Sequence, residues 1–93
     1  MEAKFIAAWA AARTKAEALG IKMRPVADAD ALKTAKRTLS GSRLSDGFNQ
    51  LLAKGRLELS LEAIAIDKRY TELFTDEEAN EALSRLLEVG YHF

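Results

Sequence analysis

The side chains best suited to binding chemistry lie in residues 28–56, where a basic stretch precedes a Ser-Gly-Ser turn and a second stretch of helical periodicity. Basic residues at helical spacing can neutralise phosphates, while arginine, asparagine and glutamine beyond the turn are the types that read base edges. The predicted nucleic-acid face consists of Lys33, Lys36, Arg37, Arg43, Asn49 and Gln50. The segment therefore predicts a helix-turn-helix-like unit, in which one helix crosses the phosphates and the next enters the major groove.

The spacing around the turn departs from that of a compact helix-turn-helix. Such a unit requires a small residue four positions before the turn glycine, Gly41, and this chain has Arg37 there. It also requires apolar residues six and nine positions after the glycine, where Gly47 and Gln50 stand. The register fits only if the turn is longer and the second helix starts near Ser45, and Asp46 would then lie in its first turn, where a carboxylate repels phosphate. Two helices joined by a glycine turn are also common as plain packing units, so both readings stay open.

The acidic last third of the chain is the second candidate surface. Its carboxylates could steer a basic partner protein or the basic middle of a second copy. Aromatic side chains near the end of the chain are of a type enriched at interfaces. The predicted protein-interaction face consists of Glu72, Asp76, Glu77, Glu81, Tyr91 and Phe93.

Catalytic and metal chemistry find few suitable residues. The chain has no cysteine and one histidine, His92, which is next to last. Nucleophile–base pairs and the usual zinc ligand sets are therefore missing. The glycines are isolated and form no phosphate-binding loop. We expect no enzyme activity, cofactor, bound metal or small-molecule substrate.

Charge is unevenly distributed along a chain whose formal net charge is zero. Residues 21–56 contain eight basic against three acidic residues, and residues 57–93 contain three basic against nine acidic ones. Such a split indicates either a polyanionic partner or pairing between the two halves. Because a compact domain keeps the acidic third near the basic middle, a protein-interaction or regulatory module ranks first. A DNA-binding regulator using residues 28–56 is the alternative.

Helical signals position these candidates. Leu, Ile, Val and Phe make up 23 of 93 residues, above the roughly 20% below which charged chains stay disordered. Helices are predicted over about residues 3–19, 28–39 and 76–89. Another helix, between the second and the last of these, is predicted to begin at Ser42 or Ser45 and to end near Lys54. Gly20, Gly55 and Gly90 follow helices as stop signals. Thr75 and Glu78 have capping-box spacing before the last helix.

The alternation in residues 57–61 fits either a short strand or the approach to a helix capped by Ser60, and we favour the helix. The predicted fold is all-α: one domain over residues 1–93, a single compact bundle of five to six short helices. A two-stranded ribbon, 57–61 with 89–93, is a minor option. With no long apolar run and no convincing export signal, we expect a soluble cytoplasmic protein. The predicted core contains Trp9, Leu32, Leu39, Phe48, Leu51, Ile64, Leu73, Phe74, Leu83 and Leu86.

Overall fold

Five α-helices and three short 3₁₀ turns make up the regular structure of the computed structural model, which describes residues 2–23, 26–41 and 44–91. The α-helices are α1 (Glu2–Ala18), α2 (Ala31–Ser40), α3 (Phe48–Ala53), α4 (Leu61–Ala65) and α5 (Asp76–Glu88). The 3₁₀ turns are Asp28–Asp30, Leu57–Leu59 and Thr71–Leu73. No strand occurs in these ranges, which confirms the all-α prediction. The radius of gyration is 12.0 Å, close to the roughly 12 Å of a compact domain of this length.

The ribbon of 57–61 with 89–93 does not form in the described part of the chain. Leu57–Leu59 is a 3₁₀ turn, and the Ser60 hydroxyl accepts a hydrogen bond from the Ala63 amide at 3.2 Å, which caps α4. At the other end, Val89 ends α5 and Gly90 turns the chain with φ +75°. Residues 92 and 93 lie outside the described residues. A capping serine followed by apolar residues at helical spacing outweighs the local alternation.

The ends of α1, α3 and α5 share one hydrogen-bonding pattern. In each, the amide three residues past the end of the helix donates to the carbonyl five positions earlier, and a glycine with positive φ precedes it, as in a Schellman motif. The donor–acceptor pairs are Ile21 to Ala16 at 3.0 Å, Arg56 to Leu51 at 2.9 Å, and Tyr91 to Leu86 at 3.0 Å. The three predicted stop signals, at Gly20, Gly55 and Gly90, are therefore confirmed.

The start of α3 differs from its prediction. The helix begins at Phe48 after Gly47, which has φ +76°, a conformation that favours glycine. A β-carbon at Gly47 would lie 2.7 Å from Met23 Cε and 3.1 Å from Ile21 Cγ2. Ser45 does not cap α3, because its hydroxyl is bound to a buried carboxylate; Ser42 lies outside the described residues.

The core has two clusters of buried side chains that share α1. The first is aromatic, with Phe5 in edge contact with Tyr70 and Phe74 at centroid distances of 5.7 and 5.3 Å. The second contains Ala12, Ala16, Ile21, Phe48, Leu51, Leu57, Leu59 and Leu86. Ile64 and Ile66 are half-buried and pack against both clusters.

Most of the predicted core residues are found in these clusters. Trp9, Leu39, Phe48, Leu51, Phe74 and Leu86 are buried, and Leu32, Ile64, Leu73 and Leu83 are half-buried. Leu87, which follows Leu86 on α5, is 59% exposed. None of the described helices combines the length and the apolar character needed to cross a membrane.

Candidate functional site

A groove of about 650 Å³ lies between α1 and α2, and residues 44–46 also line it. Its apolar side chains include Trp9, Met23 and Leu44. Trp9 is nearly buried, whereas Leu44 is 42% exposed at the rim. Helical periodicity places Trp9 and the next lining residue of α1, Arg13, one turn apart on the same face.

The Arg13 side chain is held against Trp9. Its guanidinium carbon lies 4.8 Å from the centroid of the indole, in a cation–π contact, and Nη1 donates to the Val26 carbonyl at 3.4 Å. Nε is buried, with no hydrogen-bond partner among the described residues. Stacking and one anchor bond thus fix the plane of the guanidinium group and cover the exposed face of the indole.

The opposite wall of the groove is one face of α2. Thr34, Arg37 and Thr38 line it at helical spacing, and Asp30 precedes the helix on the same side. The Thr38 hydroxyl donates to the Thr34 carbonyl at 2.9 Å. Arg37 is exposed and makes no ion pair with any described residue.

A buried ion pair binds both Gly41 and Ser45. Arg85 and Glu62 are 5% and 0% exposed, and Arg85 Nη1 lies 3.1 Å from Glu62 Oε2. Glu62 also accepts hydrogen bonds from the Ser45 amide at 3.1 Å and from the Ser45 hydroxyl. Arg85 Nη2 donates to the Gly41 carbonyl at 2.8 Å and to the Thr38 carbonyl at 3.3 Å. The pair therefore joins the end of α2 and the groove rim to α4 and α5.

The Arg85 network satisfies the polar atoms that burial would otherwise leave without partners. Arg85 Nε donates to Glu81 at 3.0 Å, so three of its nitrogens have acceptors. A buried charge is tolerated when it is both paired and hydrogen-bonded, which holds for both members here. The pair was not predicted from the sequence, because charged residues are normally exposed. Helical periodicity was the available signal, because it places Arg85 on the same buried face of α5 as Ala82 and Leu86.

The basic α2 and the acidic α5 face each other at a second ion pair. Lys36 Nζ lies 2.7 Å from Glu78 Oε1, donates to the Leu73 carbonyl at 3.1 Å and lies 5.6 Å from the Phe74 ring centroid. The Ser40 hydroxyl donates to Glu78 Oε2 at 3.2 Å. Part of the charge split along the sequence is therefore pairing between neighbouring helices.

Glu78 also completes the capping box of α5, as predicted. Its carboxylate accepts from the Thr75 amide at 2.8 Å, and the Thr75 hydroxyl accepts from the Glu78 amide at 3.1 Å. Burial of the Glu78 carboxyl opposes its ionisation. The hydrogen bond and the charge of Lys36, together with the hydrogen bonds from Thr75 and Ser40, outweigh this effect. The pKa of Glu78 is lowered as a result.

The predicted nucleic-acid residues do not share one environment. Lys36 is engaged with Glu78, whereas Lys33 and Arg37 are exposed on α2, and Arg37 lines the groove. Asn49 and Gln50 are exposed on the six-residue helix α3, which packs against the Leu57–Leu59 turn, while α2 packs against α1 and α5. Arg43 lies outside the described residues.

The predicted protein-interaction residues are also divided. Glu72, Asp76 and Glu77 are exposed, and Glu77 and Glu81 line a second groove, between the end of α2 and the start of α5. Glu81 is half-buried and bound to Arg85. Tyr91 is half-buried against the second core cluster, and burial together with the charge of Glu58 raises its pKa. Phe93 lies outside the described residues.

Comparison with known proteins adds no relative to these observations. The chain matches no protein-family model, no curated protein and no solved structure.

Proposed function

We propose that the chain is a protein-interaction module that binds a segment of a partner protein in the groove between α1 and α2. The observation that carries this proposal is a groove of about 650 Å³ whose lining includes both the exposed Leu44 and the stacked Arg13–Trp9 pair. Apolar surface combined with a few fixed polar groups is typical of recognition sites. Asp30, Arg37 and Leu44 line the groove and have exposed side chains, so a partner segment can reach them.

Rigidity of the groove supports the same proposal. The Arg85–Glu62 pair holds Gly41 and Ser45, and the Val26 carbonyl and the Trp9 ring hold Arg13. A site whose side chains are already ordered loses less conformational entropy on binding. The side chains that line it supply hydrogen bonds and apolar contacts, as recognition requires, and we propose no reaction there.

A random peptide display library, selected on the whole protein, tests the proposal. We expect enriched peptides to shift the amide signals of Thr34, Arg37 and Leu44 in a titration followed by nuclear magnetic resonance. Burying a fully exposed leucine side chain contributes about 1.5–3 kcal/mol. Leu44 is 42% exposed, so covering the rest of it contributes about 0.6–1.3 kcal/mol, and Leu44→Ser should weaken peptide binding about three- to eightfold.

Leu87→Ser is the matched control, because Leu87 is also an exposed leucine but lies on α5 and does not line the groove. Equal weakening by both variants, or the absence of any enriched peptide, would contradict the proposal. Duplex DNA is the other ligand to titrate. Binding that weakens steeply with salt and is reduced by Lys33→Ala, but not by Leu44→Ser, would establish the DNA-binding alternative instead.

A further inference from the structure

We infer that the segment bound in this groove is acidic, with an aspartate or glutamate beside a bulky apolar side chain. This inference rests on the proposed function and names the chemistry of the partner. It follows from the two guanidinium groups of the groove, Arg13 and Arg37, and from the way each is held.

Arg13 presents a guanidinium group that is already oriented. Its plane is fixed over Trp9 at 4.8 Å, and Nη1 is anchored on the Val26 carbonyl. Its other terminal nitrogen, Nη2, has no acceptor among the described residues, and only Nε is buried without a partner. A fixed guanidinium fork matches the planar carboxylate and binds it by charge-assisted hydrogen bonds.

Arg37 supplies a second positive charge on the opposite wall. Arg37 takes part in no ion pair with the described residues, although Asp30 and Asp46 also line the groove. Asp30 lies seven positions before Arg37, about 10 Å along the axis of a helix. A ligand carboxylate therefore finds a cation on each wall.

The covered indole distinguishes a peptide from a nucleic acid. Single-stranded nucleic acids bind by stacking bases on exposed aromatic rings. Trp9 is 8% exposed, and the Arg13 guanidinium already occupies its ring face. Leu44 and Met23 offer aliphatic surface instead, which suits a leucine, isoleucine or phenylalanine side chain of a partner.

The composition of the selected peptides tests the inference. We expect aspartate or glutamate next to a large apolar residue, and affinity that falls as salt rises, because screening weakens exposed charge pairs. Replacing the acidic residue of a selected peptide with its amide should weaken binding about tenfold. Arg37→Glu should do the same, whereas Lys33→Glu, on the same helix but outside the groove, should have little effect.

A charge swap completes the test. A selected peptide in which lysine replaces the acidic residue should bind Arg37→Glu better than it binds the wild type, with circular dichroism confirming that the variant is folded. Selection of groove-binding peptides that have neutral or basic residues beside the apolar residue would overturn the inference and leave the proposed function intact. A failure to select any peptide would overturn both. Displacement of a bound peptide by single-stranded RNA would show that the groove takes nucleic acid.

Discussion

Removing one member of the Arg85–Glu62 pair should destabilise the fold far more than removing both. Arg85→Met leaves a fully buried carboxylate whose remaining donors, among the residues that the structure describes, belong to Ser45. Glu62→Leu leaves a guanidinium group that still donates hydrogen bonds to Glu81 and to the carbonyls of Gly41 and Thr38. Breaking a buried pair typically costs about 3–5 kcal/mol. We place Arg85→Met at the upper end and Glu62→Leu at the lower end of that range.

The double variant Glu62→Leu/Arg85→Met leaves neither charge unpaired. It should cost less than either single change, which gives a large favourable coupling energy in a double-mutant cycle. A domain of this length has a total stability of roughly 5–14 kcal/mol, so each single change removes a large fraction of it. The surface pair Arg56–Glu58, whose side chains are 43% and 47% exposed, is the control. Its removal should cost at most about 1 kcal/mol.

Urea unfolding measures these differences, followed by circular dichroism and by the fluorescence of Trp9, the single tryptophan. With a slope of about 2 kcal/mol per molar urea, a loss of 3–5 kcal/mol moves the midpoint by roughly 1.5–2.5 M. Coincidence of the two signals checks that unfolding is two-state. Single variants that cost no more than the surface pair, or costs that add in the double variant, would refute the reasoning.

Three further changes test other parts of the fold. Gly47→Ala should lower the thermal midpoint more than Gly55→Ala: both force an L-residue into a left-handed conformation, at about 1–2 kcal/mol, but only Gly47 has side chains within 4 Å of the added carbon. Equal midpoints would contradict this contact. Phe48→Ala should cost about 3–5 kcal/mol in urea unfolding, since Phe48 is 1% exposed, and a loss below 1 kcal/mol would show that the second cluster is not packed as described. The pKa of Glu78 is lower in the folded state than in the unfolded state. The ionised carboxyl therefore stabilises the fold at pH values above the unfolded pKa of about 4.3, and this contribution is lost as the pH falls through the folded pKa. The stability difference between wild type and Lys36→Met should shrink in that acidic window, and a constant difference would count against the pairing.

The features that sequence predicted best are local ones. The capping box of Thr75 and Glu78 and the glycine stops after α1 and α5 depend on residues within six positions of one another, so their patterns can be read directly. The first turn of α2 shows the limit of such reading. Asp30 precedes α2 as a capping residue would, yet its side chain makes no capping hydrogen bond.

The candidate groove could not be predicted, because its parts meet only in the folded chain. Arg13 and Arg37 are separated by more than 20 residues, and nothing near either one indicates the other. Ser45 was one of two serines, with Ser42, that could begin α3, because serine is a good cap, but its hydroxyl is bound to Glu62, 17 residues away. A partner at that distance leaves no periodic signal, so local propensity predicted the wrong role.

The three Schellman turns have a consequence for how the chain folds. Each closes within six residues and turns the chain so that Ile21, Leu57 and Tyr91 join the second core cluster. Contacts so close in sequence require little loop-closure entropy and can form early. The bonds from Arg85 to Glu62, Thr38 and Gly41 span 23 to 47 residues, and we expect them to form after the folding transition state. Loss of those bonds should then accelerate unfolding and leave the folding rate almost unchanged, so the lifetime of the native state depends on its most distant contacts.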